Sequence, residues 1–312
     1  MVSKALEYSP GDPHHAVVLA DLDAELDGLA LGIPVGVLRE GEHIGGFGRC
    51  LPRGVLKAFL ARIATGPNGQ WLGPAPPRRY VRPMCGRIRL SSDVSEIKLV
   101  FSIPPHRPTP NFPPTWNAAP TDVLPAVRYD AKAGERSLDL LRWGLVPYWV
   151  QDIKVGFANI NAKAEGIENK PASREAFQRR RCLVPVDNFY EWKKIPTGKQ
   201  PYAIALADRH LMALAGLWEN WRSPAGEWIR SFAVITTTPN ELCAELHDRM
   251  PVVLKPETWP QWLGEEAADP KRLKALLAPY PAEEMVAWPV SPRVGNVKNN
   301  DASLIEPIVG RG

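Results

Sequence analysis

Four residues carry most of the chemical signal in this chain, and the first sits in a context that resembles the start of a protein. Met84-Cys85-Gly86-Arg87 lies inside a 312-residue sequence. If translation begins at Met84, or the chain is cut there, Cys85 presents an amine and a thiol on adjacent carbons; inside a continuous chain it presents only a thiol. The other three follow at wide spacing. Asn161 stands between Ile160 and Ala162, and Glu191 follows the aromatic pair Phe189-Tyr190 and precedes Trp192. His247 lies in Leu246-His247-Asp248-Arg249. A carboxylate among aromatic rings is desolvated, which raises its pKa and suits it to general acid or base work near neutral pH. Its alternative is an ion pair with Lys193, Lys194 or an arginine. His247 reads equally as a core hydrogen-bond donor or a residue at a helix C-terminus. Cys243 and His247 are four apart and could share a metal, but no third ligand is close in sequence, so neither metal nor cofactor is expected.

The elements that must position these residues read as short strands with helices between them. Leu138–Trp143, Cys182–Val186, Pro201–Ala207, Leu211–Leu217 and Trp228–Thr236 are apolar or aromatic-rich and mostly bounded by turns. Asp93–Phe101 opens with Asp93 and Glu96 in capping-box spacing, and Lys170–Arg181 and Pro270–Leu277 read as further helices. In Thr238-Pro239-Asn240-Glu241, Thr238 reads as N-cap, with proline at N1 and glutamate at N3. Strands and helices do not alternate regularly. The expected class is therefore α+β, a mostly antiparallel, barrel-like β-sheet core with interspersed helices. Upstream, a strand at 33–38 and a helix at 55–64 are the only plausible elements, and residues 66–83 form a Pro/Gly-rich linker. The expected organisation is a domain over 84–312 after an extension over 1–83, read as an over-long start, a cleaved segment outside the mature protein, or a further domain.

Composition bounds the rest. Hydrophobic residues at 45% and charged residues at 23% are ordinary for a soluble globular chain, and a net charge of +4 is only a weak hint of an anionic partner. Four cysteines at 50, 85, 182 and 243, with no CxxC pair, argue against a disulfide framework or structural zinc. No secretory signal or apolar run of about 20 residues is visible, so no membrane partner and a cytoplasmic location are expected. Ten of the 11 tryptophans follow Met84. Their commonest use is core packing, but aromatics interleaved with Arg174, Arg179, Arg180 and Arg181 also suit a single-stranded nucleic acid, whose bases stack and whose phosphates pair with cations.

Seven motifs then occur in order: MCGR, NAAP, RWGLVPYW, NINAKAE, DNFYEWKK, LHDRMPVVL and GNVKNN. This succession resembles the SRAP family, the abasic-site processing proteins of the DNA damage and SOS response, over about three quarters of the chain. The resemblance implies a SRAP-type fold and a monomer that acts on abasic sites in single-stranded DNA, nucleoid-associated in a bacterium. Removal of the initiator methionine would expose Cys85, which would form a thiazolidine with the ring-opened aldehyde of the abasic sugar. By the same resemblance Asn161 holds the cysteine end, and Glu191 and His247 complete the catalytic set. DNA contacts would fall on Arg87, Asn117, Pro120, Trp143, Trp149, Lys163, Arg174 and Arg249. Peptidase and lyase-type activities are associated expectations. Lys163 replaces a common arginine and Tyr148 an occasional tryptophan, which softens DNA contacts without touching the chemistry. Two other readings stay open: a thiol peptidase using Cys85, His247 and Glu191, and a non-covalent single-strand binding module.

Overall fold

In the computed structural model the chain divides into two units, Met1–Arg82 and Pro83–Gly312. The structure describes residues 86–308, all in the second unit. The expected elements at 33–38 and 55–64, the 66–83 linker and Cys85 itself lie outside the described residues.

Two sheets make the framework. The first joins β3 (Val123–Asp130), β4 (Glu135–Trp143), β6 (Arg181–Val186), β9 (Met212–Arg222) and β10 (Trp228–Thr237). Its neighbours run β10-β4-β3-β6-β9, and β9 pairs back onto β10, closing a five-strand ring. β5 (Asn161–Lys163) and β11 (Met250–Pro251) extend the end of β10. The second sheet is open and antiparallel, in the order β12-β8-β7-β1-β2. It comprises β1 (Ile88–Leu90), β2 (Thr115–Ala118), β7 (Asn188–Ile195), β8 (Gly198–Leu206) and β12 (Met285–Pro289). Among the described residues parallel pairing is confined to β10 with β4 and with β5. The α+β, barrel-like and mostly antiparallel expectation therefore holds.

Period-two alternation gives the ring strands two apolar faces and two cores. One core packs Val127, Leu183, Ala215 and Ile235 against α1 (Val94–Val100), α2 (Arg174–Arg179), α4 (Trp259–Leu263) and α5 (Pro270–Ala275). The other packs Val184, Leu214, Phe232 and Val234 against Ile88, Phe189 and Ile204 of the second sheet. A third cluster seats Tyr190 on Val290, Val294 and Leu304, so β7 is covered on both sides. Tryptophans act mainly as posts: Trp143, Trp259 and Trp262 are buried, and each indole N–H donates to a backbone carbonyl.

Several boundaries differ from the sequence reading. Asp93 caps α1 as expected, its carboxylate accepting from the Ser95 N–H at 2.7 Å. The helix expected over 170–181 shrinks to Arg174–Arg179, because Arg181 enters β6. The helix expected from Thr238 becomes α3 (Glu241–Ala244), capped instead by Asn240, whose side chain accepts from the Cys243 N–H at 2.9 Å. β10 runs extended through Thr237 and leaves no room for an earlier start.

Candidate active site

Strand register decides where Cys85 enters. β1 pairs with β7 through Ile88–Phe189 and Arg89–Asn188, and the Tyr190 N–H donates to the Arg87 carbonyl at 3.0 Å. One further step in that register sets Gly86 opposite Glu191. On the other side Ile88 faces Ala118 of β2, so two steps back set Gly86 beside the Pro120 turn. Continued past the start of β1, the two registers would run the residue bonded to Cys85 between Glu191 and Pro120. A Cβ on Gly86 would meet no described atom within 4 Å, which leaves open space beside the carboxylate strand. Glu191 itself is buried on the same strand face as Phe189.

α3 brings His247 to this neighbourhood. The Asn240 amide donates to the Tyr280 carbonyl at 2.7 Å, and the His247 N–H bonds the Cys243 carbonyl at 2.9 Å. Burial and the nearby Glu191 charge push the Cys243 thiol up to about 12. Burial does the same to Cys182, so neither thiol is a nucleophile at neutral pH. His247 is held below its ordinary 6.5, chiefly by burial, with Asp248 opposing and Lys194, Lys199 and Arg249 adding to the effect. Its Nδ1 lies 2.8 Å from Asp248 Oδ1 but outside hydrogen-bonding angles, so that contact is electrostatic only. Lys193 and Glu245 join the β7–β8 hairpin to the α3 segment at 3.5 Å. The segment that carries His247 is thus joined to the β7–β8 hairpin that carries Glu191, through Cys243 and the Lys193–Glu245 pair.

Asn161 begins β5, in parallel register with Val234. Ile160 fixes its approach: the Trp143 indole donates to the Ile160 carbonyl at 3.0 Å, and Trp143 stacks on Phe232. Ile160, Ile88, Phe189 and Cys243 belong to one core cluster, which ties the Asn161, Gly86, Glu191 and His247 segments together.

The expected DNA-contact residues divide into two groups. Trp149 is 44% exposed. Lys163 and Arg174 are exposed, with no ion pair among the described residues, and Pro120 is half-buried at the turn. Arg87 is half-buried, its guanidinium lowered by desolvation and its Nη1 donating to the Gly86 carbonyl at 3.0 Å. The other three are already engaged by the fold. Trp143 is fully buried. Asn117 is 3% exposed, and its amide donates to the Val294, Asn296 and Asn299 carbonyls at 2.9–3.1 Å, tying the GNVKNN loop to β2. Arg249 forks onto Glu165 at 2.9 and 2.7 Å and onto the Thr236 carbonyl at 2.6 Å. These three hold the site in shape.

Sequence reasoning weighed Lys193 and Lys194 only as ion-pair partners of Glu191 and passed over Lys199; the charges of Lys194 and Lys199 lower the His247 pKa. Asn117→Ala strands buried carbonyls and should cost about 1–3 kcal/mol. Chemical denaturation measures it, and an unchanged midpoint would contradict the bracing role.

Among the described residues no three or more His, Cys, Asp or Glu side chains are placed to hold a metal ion, and no helix is long and apolar enough to cross a membrane. Residues 84–297 match the family model described as SOS response associated peptidase (SRAP). The chain is 42% identical over 224 residues to the abasic site processing protein YoqW of Bacillus subtilis, covering 72% of this chain and 99% of that relative. It is 29% identical over 227 residues to the abasic site processing protein HMCES of Xenopus tropicalis, covering 64% and 67%. A crystal structure of a Bacteroides thetaiotaomicron protein superposes with a TM-score of 0.66 at 23% identity, over 72% of this chain and all of that one.

Proposed function

The chain belongs to the SOS response associated peptidase (SRAP) family, and from that premise we propose that it captures abasic sites in single-stranded DNA as a covalent thiazolidine on Cys85. The observation that carries this reading is the register that lays Gly86, the residue bonded to Cys85, against the buried Glu191. The family match begins at Met84, one residue before the cysteine. The active form on this reading lacks residues 1–84: translation starts at Met84 and that methionine is lost, or the chain is cut between Met84 and Cys85.

The chemistry needs both groups of an N-terminal cysteine. An α-amine titrates near 8, against about 10.4 for lysine, so a useful fraction is neutral and nucleophilic at pH 7. It adds to the aldehyde carbon of the ring-opened sugar, and the resulting carbinolamine loses water to give an imine. The Cys85 sulfur then adds to the imine carbon, its proton passes to the nitrogen, and a five-membered ring closes. One water leaves and nothing is oxidised or reduced. Glu191 passes a proton to the sugar oxygen as the ring opens and removes one from the amine. His247, its pKa lowered by burial, accepts the thiol proton and passes it to the ring nitrogen. Asn161 orients the terminus without adding charge.

Arg87, Lys163 and Arg174 meet backbone phosphates, and Trp149 and Pro120 meet bases. The protein acts as a soluble cytoplasmic monomer, at the nucleoid in a bacterium, in the SOS response. Peptidase activity is self-processing around Cys85, and lyase-type release reverses the crosslink.

The experiment is direct. A chain beginning at Cys85 forms a denaturation-resistant adduct with a single-stranded oligonucleotide bearing one abasic site and none with the intact oligonucleotide, while Cys85→Ala forms neither. A stable adduct from Cys85→Ala would sink the proposal.

A further inference from the structure

We infer that Asp187 is a positioning residue: it fixes the register of β1 and, through it, the reach of the Cys85 terminus to Glu191. This rests on the reading above, that Cys85 carries the adduct.

The backbone of β1 leaves its own register weakly determined. The strand has three residues, Ile88–Leu90. Against β2 the pairing shifts between Ile88–Ala118 and Leu90–Thr115. Against β7 Arg89 pairs with Asn188, yet the Asp187 N–H also donates to the Arg89 carbonyl at 2.9 Å. Two successive residues thus address one, the pattern of a β-bulge. A strand this short, irregular on both edges, resists slippage poorly by its ladder alone. A slip by one residue would carry Gly86 about 3.3 Å past Glu191 and turn the β1 side chains to the opposite face.

Asp187 supplies what the ladder lacks. It is the single residue between β6 and β7, 8% exposed, where the chain crosses from the ring to the second sheet. Its Oδ2 accepts from the Ser91 N–H at 2.5 Å, the Ser91 hydroxyl at 3.1 Å and the Ser92 N–H at 3.3 Å. Its Oδ1 accepts from the Ser92 hydroxyl at 2.5 Å. Arg89 Nε, 3.7 Å from Oδ2, adds attraction without a hydrogen bond. Ser91 and Ser92 directly follow β1, and Gly86 lies at the other end of the same short run. Moving either serine would strand a desolvated carboxylate, so the cradle holds β1 at one place along β7. Anchoring α1 does not account for it, because Asp93 already caps that helix through the Ser95 N–H.

The test uses the protein in the N-terminal form that cells yield, identified by intact mass. It measures the adduct rate at saturating abasic single-stranded oligonucleotide, the half-saturating concentration, and hydrogen exchange at the Tyr190 N–H, the donor to the Arg87 carbonyl. Asp187→Ala should slow the saturated rate by about tenfold to a hundredfold, the cost of a misplaced reacting group. The half-saturating concentration should stay within about twofold, and the Tyr190 amide should exchange faster. Asp187→Asn keeps the shape, with an oxygen for the two N–H groups and an amide that donates to the Ser92 hydroxyl, and should react within about threefold of wild type.

The decisive comparison is Glu191→Gln in the Asp187→Ala background. There it should cost about tenfold less than in wild type, because a displaced terminus no longer meets the carboxylate. A smaller folded fraction alone would leave the two effects multiplicative. Should Asp187→Ala not fold, Ser91→Ala with Ser92→Ala decides: it keeps the backbone donors and should show a smaller loss with the same non-additivity. Multiplicative effects, variants that react as wild type, or a Glu191→Gln without effect overturn the positioning role while leaving the adduct on Cys85 standing. A wild-type protein that forms no adduct overturns both.

Discussion

The uncut 312-residue chain is expected to form no stable adduct with abasic single-stranded DNA, while the same sequence beginning at Cys85 forms one. In the continuous chain the Cys85 nitrogen is the amide of the Met84–Cys85 peptide bond, and its lone pair is delocalised into the carbonyl. It cannot add to an aldehyde as an amine does. The thiol alone gives a hemithioacetal, which reverses on denaturation. Removing residues 1–84 should therefore change the yield from none to most of the protein. The measurement is a denaturing gel with both chains on one abasic oligonucleotide, each N-terminus verified by mass. An equally stable adduct from the uncut chain would refute the need for a free amine. It would instead favour a thiol peptidase-like centre, which keeps its activity with Cys85 internal.

The second large effect belongs to the proton carriers. Glu191→Gln and His247→Ala should each slow adduct formation by about a hundredfold to ten-thousandfold, the range for positioned acid–base groups. Binding to undamaged single strands should stay within a few-fold, because neither residue is a proposed phosphate contact. Arg174→Ala should do the reverse, weakening binding and flattening its salt dependence with the intrinsic rate kept. The pH dependence separates His247 further. Its folded pKa lies below 6.5 through burial, so the neutral base persists through neutral pH. The advantage of wild type over His247→Ala should hold down to 6.5 and collapse as pH falls through the lowered value. The stability sign agrees: neutral His247 contributes stability above 6.5, and that is lost as protonation forces a charge into the buried site. Glu191→Gln with a normal rate and lost binding would make that carboxylate structural.

The fold class and the site were legible in the sequence to different depths. Short apolar segments bounded by turns gave most of the ring strands, because each buries apolar faces and keeps a plain pattern. β7 was legible as a motif but not as a strand. Asn188 through Glu191 are all buried, since the second sheet is covered on both faces, so the alternation that marks a strand is missing. The α3 start was misplaced because Thr238-Pro239 and Asn240 offer competing caps, and only the extension of β10 decides between them. Trp143, Asn117 and Arg249 read as ligand contacts because a motif does not show which polar atoms the fold has already used. Asn117 is spent on carbonyls about 180 residues away and Arg249 on Glu165, 84 residues away.

Intact mass of the adduct before and after borohydride tests the central chemistry most directly. Thiazolidine and imine both form with loss of one water, so the first mass equals protein plus oligonucleotide less water in either case. A closed ring has no C=N bond, and the mass should be unchanged by borohydride, with the modification mapped to Cys85. Cys85→Ser, which keeps the amine and lacks the thiol, should give only an adduct that gains two hydrogens. A wild-type adduct that itself gains two hydrogens, or that maps to a residue other than Cys85, would contradict thiazolidine formation.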